Sequence, residues 1–184
     1  SMIEKILKNL GYCEVNVHYL KNKGNEKFVT DEGHFIVDLE LRKITLAKIE
    51  YKGSFQGIGK AYGKLMSWAR ENEFTNPKIN KTITIYHDNP SEVGINNVRQ
   101  SACVITNKLF EPTLEIKKID FAAGKCAVGR FEISFYEFRN AWTEMFNWIN
   151  KNELKVSKKD AFEVYQNNSN TNSKNVIRPY KIFL

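Results

Sequence analysis

The sequence predicts an α+β domain made of two pseudo-symmetric β-α-β-β repeats, with helices packed on one face of a concave, mainly antiparallel sheet. Three observations predict it. The chain repeats at an offset of about eighty residues. Ala47 falls on Ala127, Ser54-Phe55 on Ser134-Phe135, Ala61-Tyr62 on Ala141-Trp142, Trp68 on Trp148, and Asn72-Glu73-Phe74 on Asn152-Glu153-Leu154. One residue later in register, Thr84-Ile85-Tyr86 falls on Glu163-Val164-Tyr165, and Arg99 on Arg178. Each copy also carries one stretch with apolar residues at helical spacing, flanked by short alternating, strand-like segments. Finally, the order of these segments, strand, helix, strand, strand, is the same in both copies. A solenoid needs about three copies or more, so two copies suit one domain built from two halves with a cleft between them. Positions where the copies differ become the candidates for function.

Residues 1–35 lie outside the repeat and form an N-terminal extension. Ile3, Ile6, Leu7 and Leu10 share a helical face, Tyr12 to Leu20 alternates like a strand, and residues 21–34 read as a polar loop. The main domain spans 36–184, with halves of about 36–106 and 114–184. In the first half, strands are predicted at Val37–Leu41 and Leu46–Tyr51, and Gly53-Ser54-Phe55 breaks the pattern. A helix follows over Ile58–Asn72, with Ala61, Tyr62, Leu65, Met66, Trp68 and Ala69 on its apolar stripe. The β-branched run Thr82–Tyr86 is a strand ended by the turn chemistry of Asp88-Asn89-Pro90, and Ser101–Thr106 is another. The second half repeats the order, with strands at Leu114–Ile119 and Lys125–Glu132 and a helix over Phe135–Lys151. Ser134 with Glu137 resembles a capping box for that helix. Strands at Ala161–Tyr165 and Tyr180–Leu184 enclose the Asn- and Ser-rich loop 167–175.

At 184 residues and 42% hydrophobic, the chain can build a sizeable core. No apolar run is long enough to span a bilayer and no signal-peptide pattern occurs, so the expectation is a cytoplasmic protein without membrane contact. The net charge of +7 is spread over scattered lysines rather than a basic stripe, which argues against direct nucleic-acid binding. Cys13, Cys103 and Cys126 make no metal-ligand spacing and suit a reducing compartment; Cys103 and Cys126 read as small buried hydrophobes. His18 and His34 lack companions at metal-ligand spacing, and no Ser/His/Asp or Cys/His set can be assembled from the pattern. No metal and no cofactor are therefore expected.

The ordered set Tyr51-Lys52-Gly53-Ser54-Phe55, Leu65 with Trp68, Ile85-Tyr86-His87-Asp88-Asn89-Pro90, Arg99 to Cys103, Gly129-Arg130-Phe131-Glu132, Glu163-Val164-Tyr165 and a closing strand after Arg178 resembles the GyrI-like superfamily of AraC-type effector-binding domains. The resemblance implies a groove between the halves for a hydrophobic, often cationic or aromatic molecule, contacted by an acidic residue on the penultimate strand. Here the matching position is Glu163. It also implies a role as the sensor of a transcriptional regulator or as a stand-alone binding protein. Alternatives are a hydrolase of reactive cyclopropane-type molecules, with Glu163 activating water and Tyr165 or Tyr86 donating a proton, or a gyrase-inhibitor-like interaction protein. The chain departs from the pattern at Ile133, where the first half has Gly53. It also departs in the absence of a helix-turn-helix and of a tail after Leu184.

The halves differ in charge where Thr84 faces its repeat mate Glu163. A carboxylate among aromatic rings is costly unless paired, so it attracts a cation, and rings add cation–π attraction. Strand alternation puts Glu163 and Tyr165 on one face and Phe162 and Val164 on the other. The apolar pair is expected to meet the helices, leaving Glu163 toward the groove. Thr84 and Tyr86 hold the equivalent face of the first half; Tyr51 and Phe131 match at strand ends and either line the groove or pack the core. Trp68, Trp142 and Trp148 sit on apolar helix stripes where core is the commoner place, Trp68 being the one best placed to touch ligand.

Overall fold

Alternation of Ile44–Lys52 makes the strand β2, which follows β1 (Phe35–Leu41). The computed structural model describes residues 35–41, 44–121, 124–133, 138–153, 155–156, 160–165 and 176–183. The expected helix 3–10, strand 12–20, loops 21–34 and 167–175, and the Ser134 capping box lie outside the described residues. After a 3₁₀ turn at Phe55–Ile58 come α1 (Gly59–Glu71), β3 (Thr82–Tyr86), the single turn α2 (Pro90–Val93) and β4 (Arg99–Ile105). The chain continues through β5 (Lys117–Phe121), β6 (Gly124–Ile133), α3 (Phe138–Lys151), β7 (Ala161–Val164) and β8 (Val176–Phe183). The fold is α+β with antiparallel pairing in every register described. Among the described residues no helix is long and apolar enough to cross a membrane.

The strands fall into two compact units. One contains β1, β6 and β8 in that order with α3 against β6. The other is an open sheet ordered β7-β3-β4-β2-β5, with α1 packed on β4 and β2. These units cut across the repeat copies. The leading strand of each copy pairs with the second strand of the other, β1 with β6 and β5 with β2.

The repeat survives in the helices. Ala61, Leu65 and Ala69 are the buried positions of α1, and Ala141, Met145 and Ile149 are buried at the same offsets in α3. Both helices end alike: Asn72 Nδ2 donates to Trp68 O at 2.9 Å, and Asn152 Nδ2 to Trp148 O at 2.8 Å. Glu73 and Glu153 then take the left-handed conformation, φ 60° and 55°, that stops a helix.

Under α1 the sheet presents Ala47 and Ile49 of β2 and Ala102 and Val104 of β4, which pack with Ala61, Leu65, Ala69, Phe74 and Ile116. At one end of this core Trp68 stacks on Phe74 at 5.4 Å and meets Phe110 edge-on at 5.1 Å. The opposite face of the sheet is also buried at Leu46, Ile83, Ile85, Cys103, Phe162 and Val164.

Candidate functional site

Register places the candidate residues in two adjacent rows on the α1 face of the five-stranded sheet. The first row runs Ile49, Ala102, Thr84, Glu163 across β2, β4, β3 and β7. The second runs Tyr51, Gln100, Tyr86, Ala161 across the same strands. Side chains two apart on a strand share a face, so the rows lie side by side. Thr84 and Glu163, matched by the repeat, are thus direct cross-strand neighbours.

The face itself corrects the expectation. Thr84 Oγ1 lies 2.7 Å from the hydroxyl of Tyr62 on α1, so its neighbour Glu163 also stands on the helix-facing side and not on an open one. Glu163 is only 2% exposed. Phe162 and Val164 take the opposite face and are fully buried there. Strand β7 is covered on both sides, so apolarity could not reveal which side carries the helix.

Tyr62 was absent from the expected site residues because it sits within the apolar stripe of its helix. Burial pushes its phenol well above the usual tyrosine pKa, and the nearby Glu163 carboxylate acts in the same direction. It is therefore a protonated hydroxyl beside a buried carboxylate. The signal that could have found it was the repeat, because Tyr62 carries a hydroxyl where its mate Trp142 does not.

In the second row, Tyr86 meets Phe55 edge-on at 5.4 Å. Tyr51 lies across the turn after β2, where a Cβ at Gly57 would overlap its hydroxyl. Between these tyrosines Gln100 is 1% exposed and donates Nε2 to Gly53 O at 3.0 Å. The other expected residues are placed as follows. Trp68 belongs to the Phe74–Phe110 cluster, six residues or about 9 Å along α1 from Tyr62. Tyr165, two residues beyond Glu163, follows β7 half-buried, and the backbone of Phe131 pairs with Arg178 on β8.

On the reverse face the structure assembles a set that the sequence pattern did not show. His87 Nδ1 lies 2.6 Å from Asp160 Oδ2, and Nε2 lies 2.7 Å from Ser101 Oγ. Asp160 and Ser101 lie 73 and 14 residues from His87 along the chain, so only strand pairing unites the three. Ser101 is fully buried in β4. The relay fastens the residue before β7 to β3 and β4, and so holds the strand that carries Glu163. Cys103, on the same face, is buried, which raises its thiol pKa and keeps it protonated.

Asp88 closes the β3–β4 connection by accepting from Arg99 N, Nε and Nη2 at 2.9, 2.9 and 2.7 Å. Those side-chain and backbone hydrogen bonds lower its pKa from 3.8 to about 2. A depressed carboxylate pKa stabilises the fold above the unfolded value and loses that contribution as pH falls through the folded one. Asp88→Asn is accordingly expected to lower Tm at neutral pH, with the deficit relative to the parent shrinking as pH drops from 3.8 to about 2. Thermal denaturation across that window checks it, and a deficit independent of pH would refute it.

Comparison with known proteins gives a consistent assignment. The model of the GyrI-like small molecule binding domain matches residues 34–179. DNA gyrase inhibitor 2 of Dickeya dadantii (strain 3937) is 27% identical over 114 residues, covering 60% of this chain and 71% of that protein. EcmrR, solved in a complex with DNA, superposes with a TM-score of 0.69 at 16% identity over 90% of this chain. The chain spans 62% of that EcmrR chain; against the EcmrR C-terminal domain alone the share is 96%, with a TM-score of 0.65 at 16% identity over 82% of this chain. SAV2435 bound to tetraphenylphosphonium superposes with a TM-score of 0.54 at 13% identity, over 81% of this chain and 93% of that one. These structural likenesses are of fold. With the match to the domain model extending over most of its length, the chain belongs to the GyrI-like small-molecule-binding family.

Proposed function

We propose that this domain binds a hydrophobic organic cation at the Glu163 row, as the sensing part of a regulator or as a stand-alone binding protein. One observation carries the reading: Glu163 is a carboxylate 2% exposed on the core-facing side of the sheet, with Thr84 opposite it and the phenol of Tyr62 nearby. A carboxylate held in a low-dielectric space attracts a cation far more strongly than one in water. Tyr86, Tyr51 and Phe55 supply ring surface in the adjoining row, worth about 0.5–2 kcal/mol per well-placed ring toward a cation. Because Glu163 is closed to solvent, the ligand must part the side chains around it, and association is expected to be slower than diffusion allows. The tetraphenylphosphonium held by SAV2435, a protein of the same fold, is a ligand of this chemistry.

The test is calorimetric titration with tetraphenylphosphonium and with the neutral triphenylphosphine oxide. The cation is expected to bind at around micromolar Kd and the neutral compound at least about tenfold more weakly. Equal affinities, or no binding of the cation, would remove the role given to charge.

A further inference from the structure

We infer that Gln100 is a second recognition point, and that the ligands of this domain are elongated aromatic cations carrying an O–H or N–H donor at the end remote from the charge. The inference rests on the Glu163 reading and deepens it. Gln100 is 1% exposed, and its Nε2 is committed to Gly53 O. Among the described residues no donor reaches its Oε1. A buried amide oxygen left without a donor is rare and costly, so an arriving donor recovers free energy there that a donor in water does not.

The setting points to a ligand. Gln100 stands between Tyr51 and Tyr86 in the row beside Glu163, on the same face of the same sheet. Two strand spacings of about 4.8 Å and one two-residue step of about 6.6 Å put the Cα atoms of Gln100 and Glu163 on the order of 12 Å apart. A single ammonium group cannot satisfy both. Two para-linked rings can, with the cation at the carboxylate, the rings along the Tyr86 side chain and the donor at Oε1. Discrimination against a ligand lacking the donor is then strong, because the acceptor stays buried and unpaired.

The experiment uses a probe pair: 4′-hydroxybiphenyl-4-yl-trimethylammonium and the same cation with fluorine in place of the hydroxyl. Its quaternary nitrogen donates no hydrogen bond, so Glu163 cannot tell the two apart. The parent protein is expected to bind the phenol about tenfold tighter than the fluoro compound. In Gln100→Met, of similar length but without the acceptor, the two affinities are expected to converge on that of the fluoro compound. Equal affinities in the parent, a comparison that needs no variant to fold, overturn the inference, as does a preference that persists in Gln100→Met. If neither cation binds the parent, the Glu163 reading falls and takes this one with it. Glu163→Gln separates the two roles, since it should weaken both probes alike and leave the phenol preference in place.

Discussion

Glu163→Gln is expected to weaken tetraphenylphosphonium binding about 10- to 100-fold, while changing the affinity for triphenylphosphine oxide less than about twofold. The substitution keeps the size and shape of the side chain and removes its charge. What it takes away is the attraction between a carboxylate and a cation in a space from which water is excluded, where charge interactions are far stronger than in bulk. The unliganded protein should not suffer in proportion. Glu163 is 2% exposed, and neutralising a buried charge removes a desolvation cost along with its favourable contacts. Urea denaturation of the variant is therefore expected to show a stability change smaller than the loss of cation affinity. A loss of cation affinity that outweighs the change in stability marks a residue kept for its ligand. Unchanged cation affinity would dismiss it.

Phe74→Ala is expected to cost about 3–5 kcal/mol, a large share of the stability of a typical domain. Phe74 is fully buried, stacks on Trp68 at 5.4 Å and meets Phe110 at 6.0 Å. Its backbone N–H also caps α1 by donating to Ala69 O at 2.8 Å. Removing the ring leaves a cavity that two neighbouring aromatics cannot both fill, whereas Phe74→Leu should cost much less. Denaturant titration followed by tryptophan fluorescence measures both. The variant also decides the part played by Trp68. At low temperature, where Phe74→Ala remains folded, cation affinity is expected to match the parent, because the Trp68 cluster packs the core and stands apart from Glu163. A coupled loss of affinity would bring Trp68 back into the site.

Much of the local structure was legible. The run Thr82–Tyr86 forms the strand expected of it, and α1 occupies Gly59–Glu71 within the expected Ile58–Asn72. Its buried residues Ala61, Leu65 and Ala69 recur as Ala141, Met145 and Ile149, because a helix buries every third or fourth residue wherever it packs. The closing strand is longer than the expected Tyr180–Leu184 at its start. Val176–Phe183 begins before Tyr180, since the proline at 179 reads as a breaker, although its partner Arg130 lies within regular pairing.

The site was legible in part, through the comparison of one repeat with the other. That comparison singled out Thr84 and Glu163, which the structure makes cross-strand neighbours. It also contained the difference between Tyr62 and Trp142, which the apolar stripe of the helix concealed. Gln100 carried no signal at all. A glutamine in a strand is unremarkable until its oxygen is found buried beside two tyrosines.

The sequence by itself determined the two copies, the helices and most strands, the family, and the pair Thr84 and Glu163. These follow from periodicity and likeness, which local backbone geometry imposes along the chain. Tertiary structure alone decided that the leading strands exchange between copies and that Glu163 turns toward α1. It alone united His87 with Asp160 and Ser101, and left Gln100 with an open acceptor. Alternation determines which residues share a face, but only long-range pairing determines what that face meets.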